Sequence, residues 1–263
     1  MRNKAINLLG LTLVGLLMAG CSSLPPAWQP HPMSNTSSLK NKATVVVPVQ
    51  GAGIALQNSQ IGTAALFGVV GVAIKENLID KPNRDAFLEK NGDNTTSFSP
   101  EEVLAEECVS LLNQSSWSSG TNVMLFNGLE RIPGLAAEII AETHPFRSSF
   151  SELMTWQNAY SGWLVGGPVH AFKADEMSSR QVVSLEVTTV LPLLKGTDLS
   201  FGVLMRLMDP ITGQSIASGF CRQDDFKVHP FKNSTDLNLF EADYRQCARQ
   251  VSEKLLKQLN LLP

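Results

Sequence analysis

Leu237, Phe240, Tyr244, Cys247, Val251, Leu255 and Leu259 follow one another at intervals of three or four, with charged and polar residues between them. That spacing marks one face of a helix about six turns long, and such a helix is stable in water only when its stripe lies on another apolar surface. The segments before it can supply that surface. Arg180 to Val190 alternates Val183, Leu185 and Val187 with Ser184, Glu186 and Thr188. Leu199 to Met208 alternates Leu199, Phe201, Val203, Met205 and Leu207 with mostly polar or small neighbours. A period of two describes a strand with one face buried. Asp209-Pro210-Ile211-Thr212-Gly213 places proline and glycine where turns favour them and leads into a third segment, Gln214 to Phe226. The C-terminal half therefore reads as a half-buried antiparallel meander of three strands under a long amphipathic helix.

The first half alternates helix and strand. Lys42 to Val49 is β-branched and continuous, as expected of a strand buried on both faces. Gly51-Ala52-Gly53 follows it, but Leu56 stands where a dinucleotide fingerprint needs its third glycine and no acid lies about 20 residues on, so a tight turn is expected. Ile61 to Ile74 is apolar or small throughout and reads either as a helix buried on the sheet or as a surface for lipid or a partner. Asp80 to Ser99 is a polar, turn-rich loop. Ser99-Pro100-Glu101-Glu102 is a helix start, with Ser99 as N-cap, Pro100 at the first position and Glu102 completing a capping box. Leu104, Cys108, Leu111 and Leu112 share its inner face, and Glu101, Glu106 and Glu107 are expected on a solvated side. Asn122 to Phe126 is a second strand, followed by a short helix near Leu135 to Glu142. Ser149 to Glu152 opens a helix carrying Leu153, Trp156 or Gln157, and Tyr160 in line, and Trp163 to Phe172, broken by Gly166-Gly167-Pro168, is a loop leading into a strand that places His170 near Trp163. The expected fold class is α/β, an α+β sandwich. It has a mixed sheet ending in the antiparallel meander, helices packed on it, and the long C-terminal amphipathic helix, as one domain over residues 43–263.

Ahead of the domain, Met1-Arg2-Asn3-Lys4 is basic, Ala5 to Met18 is an apolar run too short to span a bilayer, and small residues Ala19-Gly20 precede Cys21. This is the form of a secretory signal over residues 1–20. Leu16-Leu17-Met18-Ala19-Gly20-Cys21 resembles the lipobox of bacterial lipoproteins, with Met18 where leucine is usual. The resemblance implies lipidation of Cys21 by diacylation, removal of the signal, and Cys21 as the new first residue. Because Ser22-Ser23 rather than aspartate follows, it also implies the outer membrane, with the domain facing the periplasm. Two or three acyl chains anchor far more firmly than one, since each buried methylene contributes about 0.8 kcal/mol. Ser22 to Lys42 is rich in Ser, Pro, Asn and Lys, which predicts a flexible tether over residues 21–42 with a reach of roughly 25 Å. Loss of residues 1–20 removes Arg2 and Lys4 from the 21 basic residues and none of the 24 acidic ones, leaving a balance of about −5 and no basic surface for nucleic acid.

No catalytic, cofactor-binding or metal-ligating residue is assigned. Cys108, Cys221 and Cys247 lack metal-ligand spacing in a compartment that permits disulfides. Of three possible pairings, Cys221 with Cys247 is expected, a staple from the last strand to the following helix, with Cys108 a buried thiol. Gly213-Gln214-Ser215-Ile216-Ala217 approaches a nucleophile elbow, but Ala217 replaces its second glycine and Ser215 lies on a strand. His31 is in the tether, and His144, His170 and His229 are in loops near prolines. Asp224 and Asp225 are adjacent on a strand and so point to opposite faces.

The order of these elements, with Val45 to Pro48 as first strand and Asp209 to Gly213 as turn, resembles the α/β periplasmic lipoproteins. That group includes the amino-terminal domain of the Tol translocation protein, the lipoprotein activators of penicillin-binding proteins, and the curli secretion lipoprotein. The resemblance implies binding to other envelope proteins, sometimes as a ring, without catalysis, and carries over no site residue. The expected function is a non-enzymatic, lipid-anchored envelope protein whose partners are the membrane, through Cys21, and envelope proteins, further copies of itself included. The alternatives are a subunit of a secretion or pore assembly using residues 61–74 as its contact and, third, a periplasmic hydrolase. Substitutions that damage binding are expected on exposed parts of Trp156 to Trp163 or of Ile61 to Ile74.

Overall fold

A computed structural model describes residues 26–34, 42–57, 98–115, 122–133, 135, 146–147, 153–170, 182–195, 197–229 and 237–263. Its elements are β1 (Ala43–Pro48), β2 (Ile54–Gln57), α1 (Pro100–Asn113), β3 (Val123–Leu125), β4 (Phe146–Arg147), α2 (Leu153–Val165), β5 (Val182–Lys195), β6 (Asp198–Asp209), β7 (Gln214–Lys227) and α3 (Leu237–Gln258). The strands form one seven-stranded mixed sheet, and the fold is the α/β class expected from the sequence. Ile61 to Ile74, His144, the segment near 136–142, Cys21 and the leader lie outside the described residues.

β5 is the spine of the sheet. β6 runs antiparallel along one edge and β7 antiparallel to β6, completing the meander. On the other edge β1 and β2 lie end to end, both parallel to β5, with β3 outside β1 and β4 outside β2. Pro48 is opposite Val187 and Ala55 opposite Leu193, so seven steps along this edge match six on β5 and one residue is extra. β5 is itself irregular against β6 between Val190 and Leu193, where Pro192 has no N–H to give. The edge formed by β1 and β2 is thus interrupted at Gln50 to Gly53, while β5 runs on unbroken beside it.

Two helical layers cover the sheet. α1 and α3 bury Leu104, Cys108, Phe240, Tyr244, Val251 and Leu255 against Val183, Leu185, Val203 and Met205 on one face. α2 buries Trp156, Tyr160, Trp163 and Leu164 against Val190 and Leu204 on the other. α1 begins as its sequence requires: the Ser99 Oγ accepts the Glu102 N–H at 3.3 Å and Pro100 stands at the first position. The turn Asp209 to Gly213 closes through the Gly213 N–H on the Asp209 carbonyl at 2.8 Å, with Gly213 at φ 69°, in the left-handed region.

Four expectations are corrected. β5 is buried on both faces from 182 to 190, and Ser184, Glu186 and Thr188 are inaccessible, because α2 covers the side that alternation marks as polar. Trp156, Tyr160 and Trp163 form that second core, so they offer no exposed binding surface. Glu101 and Glu107 are buried too: Glu107 accepts from Arg245 at 3.2 Å and Arg249 at 3.1 Å, tying α1 to α3, while Glu106 alone of the three faces solvent. Residues 26–34, placed by composition in the tether, are docked. Trp28 is only 6 % exposed, packs on Tyr160 and Phe220 and donates to the Ser161 Oγ at 3.0 Å. His31 pairs with Ser218 on the outer edge of β7, and Met33 lies in the α1/α3 core, its N–H donating to the Leu259 carbonyl at 3.2 Å. This strap passes from the α2 face around the β7 edge to the α3 face and covers part of a strand edge that would otherwise be open.

The Cys221–Cys247 bridge is likewise not formed: Cys108, Cys221 and Cys247 are buried free thiols. Gly219 faces Leu255 and Leu259, and His229 bonds Asp243, so β7 and α3 run antiparallel and Cys221 falls beside Lys254. Cys247 lies two helical turns earlier, about 10 Å along the axis, whereas a disulfide needs Cα atoms within about 7 Å. Burial pushes the Cys108 and Cys247 thiols up to about 12. No thiol is therefore expected to react with an aromatic disulfide reagent in the native protein, and all three should react after unfolding without reductant. A peptide map linking residues 221 and 247 would refute this register.

Candidate functional site

The break between β1 and β2 is filled by polar groups. The Glu101 side chain, in the first turn of α1, points into it and accepts the Thr189 hydroxyl at 2.5 Å. From the other face Tyr160 reaches the same place: its hydroxyl donates to the Thr189 carbonyl at 3.0 Å and accepts the Ala52 N–H at 3.0 Å. The backbone groups released by the break are thereby bonded from both layers. Gly51 is required here, since a Cβ on it would lie 2.5 Å from the Glu101 Oε1 and 2.8 Å from the Thr189 carbonyl oxygen. Burial raises the Glu101 carboxyl to about 7, against the opposing pull of hydrogen bonds from Thr189, its own N–H and Gly51.

On the same strand, Glu186 faces Arg206 across the β5–β6 ladder; both side chains are inaccessible and lie 2.7 Å apart. Glu186 also accepts the Trp163 indole N–H at 2.8 Å and the Val169 N–H at 2.9 Å. Arg206 lies over the Trp163 ring, 4.9 Å from its centroid, and donates to the carbonyls of Trp163, Gly166 and Gly167. Trp163 is in the last turn of α2, where its carbonyl also accepts the Gly166 N–H at 3.1 Å, and Gly166 and Gly167 directly follow the helix, so one guanidinium ties down the C-terminal end of α2 and neutralises a buried carboxylate. Burial lowers the Arg206 pKa, with Glu186 opposing. With every donor turned inward onto protein groups, the cluster holds α2 in place and has no side facing a substrate.

The residues weighed for hydrolysis do not converge. Ser215 is exposed at the start of β7, His229 is exposed and pairs with Asp243 at 2.7 Å, and Asp224 pairs with Arg222 at 2.6 Å. Asp225 has φ 55°, so the strict alternation of faces fails at that residue. His31 belongs to the strap. Among the described residues no three of His, Cys, Asp and Glu are grouped to hold a metal, and no helix is long and apolar enough to cross a membrane.

The exposed face with binding character is the β3 edge. β3 is the outermost described strand on its side, and the chain beyond it stays along β1, with the Phe126 N–H on the Val46 carbonyl at 2.8 Å and the Glu130 N–H on the Pro48 carbonyl at 3.0 Å. Leu125 and Leu129 are 40 % and 39 % exposed along this segment. His170 braces it from behind, packed at a tilt on Phe126 with ring centroids 4.3 Å apart and bonded to the Glu130 Oε1 at 2.8 Å. The sequence marks the strand but not its position at the sheet edge, which depends on long-range pairing.

No protein-family model matches the chain, and no curated protein matches it. Among solved structures it is similar to the PelC dodecamer from Paraburkholderia phytofirmans, at 10% identity and TM-score 0.35, over 88% of this chain and 94% of that one. A putative neuraminyllactose-binding hemagglutinin homolog from Helicobacter pylori is similar at 9% identity and TM-score 0.30, over 90% and 95%. The lipoprotein GNA1162 from Neisseria meningitidis is similar at 13% identity and TM-score 0.19, over 81% and 99%.

Proposed function

We propose that this chain is a non-catalytic envelope lipoprotein, acylated at Cys21 and held at the outer membrane, that presents its domain to the periplasm and binds a protein partner at the β3 edge. The anchor rests on the Leu16 to Cys21 motif. The binding role is carried by Leu125, the last residue of β3, and Leu129, on the chain just beyond it, both exposed beside the outermost described strand: a strand at a sheet edge can offer main-chain groups to a partner strand, and apolar side chains beside it supply affinity. Photo-cross-linkers at these two positions in intact envelopes should capture one partner, a further copy of this chain being one such partner. Leu125→Asp and Leu129→Asp should each weaken that complex by roughly tenfold or more, with the circular dichroism spectrum unchanged. His229→Ala and Ser215→Ala should leave function intact; loss of function in either, in a folded and correctly localised protein, would replace this reading with an enzyme. Cys21→Ala should remain uncleaved and unacylated, and its recovery at mature size in the outer-membrane fraction would refute the anchor.

A further inference from the structure

We infer that the strap holds the α2 face of the domain against the lipid surface, so that the protein has a fixed orientation on its membrane. This rests on the proposed acylation of Cys21. Only five peptide steps separate Cys21 from Pro26, the first residue of the docked strap, and such a length reaches at most about 18 Å in any conformation. α3 alone, with 22 residues, is about 33 Å long, so the acylated end cannot pass around the domain to another side.

The strap fixes which side that is. Trp28 is seated on Ser161 of α2 and on Phe220, and the chain crosses to the α3 face only afterwards, at His31 and Met33. The leash therefore leaves the domain from the α2 face. The composition of that face suits lipid. From Leu153 to Val169 there is no charged residue, and the side of α2 turned away from the core carries Asn158, Gly162 and Val165, the last 76 % exposed. The opposite layer exposes Glu106, Arg245, Arg249, Lys254 and Lys257. An uncharged helix surface next to a short lipid leash is desolvated against headgroups at little cost, whereas the opposite layer would have to give up the hydration of its ion pairs.

The test uses the full acylated chain in phosphatidylethanolamine–phosphatidylglycerol vesicles carrying headgroup nitroxides, with a fluorophore on Val165→Cys or, on the opposite layer, on Leu239→Cys. The buried native thiols leave the introduced one to be labelled. The probe at 165 should be quenched by the lipid nitroxide about threefold or more relative to the probe at 239, and iodide should show the reverse order. Inserting about twenty Gly and Ser residues between Ser23 and Leu24 should abolish the difference. Equal quenching at both sites with the protein still on the vesicles overturns the orientation and leaves the anchor standing. Shielding of residue 165 from both quenchers points to another protein on that face and overturns it as well, as does lipid quenching that survives the insertion. Protein in the supernatant with an unmodified residue 21 removes the anchor and this inference together.

Discussion

Arg206→Met is expected to lower the unfolding free energy by about 3–5 kcal/mol, the cost of removing one partner of a buried ion pair. Methionine fills much of the space, so the loss is electrostatic rather than a cavity. Glu186 would keep the Trp163 indole and the Val169 N–H, at 2.8 and 2.9 Å, but two neutral donors do not compensate a carboxylate with no accessible surface. The carbonyls of Gly166 and Gly167 lose the donor that holds the end of α2 on the sheet. Urea unfolding followed by tryptophan emission measures this directly, since Trp156 and Trp163 lie in the same layer. Adding Glu186→Gln to Arg206→Met should recover about half of the loss, because the uncompensated charge is then gone while the uncapped carbonyls remain. A loss under about 1 kcal/mol in the single variant would mean that water or another cation reaches Glu186, and the clamp would not be what fixes α2.

The sequence is legible where its signal is local. Ser99, Pro100 and Glu102 mark the start of α1, Asp209 to Gly213 mark the β6–β7 turn, and the stripe from Leu237 to Leu259 marks α3, because each depends on residues within a few turns or strand steps. Alternation in β5 identifies which residues share a face, but not whether a face is covered. The cover comes from Trp156, Tyr160 and Trp163 on a helix that is distant in sequence. Folding the β5–β6 hairpin about residues 196–197 would set Glu186 opposite Leu207; the irregularity between Val190 and Leu193 shifts the ladder by one residue and brings Arg206 opposite Glu186, so the pair is not legible from the turn alone. Composition failed at residues 26–34 because docking there depends on two side chains, Trp28 and Met33, within a stretch otherwise of proline and small or polar residues. Closeness in sequence suggested the Cys221–Cys247 bridge, and the antiparallel register of β7 on α3 decides against it.

The second large effect is a loss of stability as pH rises from about 4.5 to 7, traced to Glu101. Its carboxyl is raised from 4.5 to about 7 by burial, and the groups that face it are the Thr189 hydroxyl, the Gly51 and Glu101 N–H groups, the Glu102 carboxylate and the Tyr244 phenol. No cation is among them. The folded protein therefore keeps a proton that the unfolded chain releases. The stabilisation is complete below about 4.5, declines through the interval and is gone above 7, a difference of about 3 kcal/mol over 2.5 pH units. Glu101→Gln keeps the acceptor oxygen for Thr189 and Gly51 but cannot ionise. Its unfolding free energy should thus lack this component, so the wild type loses about 2.5 kcal/mol more than the variant between pH 5 and pH 8. The comparison of the two proteins isolates Glu101, because every other group is common to both. Since Glu101 plugs the break between β1 and β2, its ionisation would draw water into that break, and the protection of the Gly51, Ala52 and Thr189 amides, taken relative to the base-catalysed intrinsic exchange rate, should fall above pH 7 in the wild type only. Identical pH slopes in the two proteins would show that Glu101 stays ionised in its site, stabilised by donors that the described geometry does not contain.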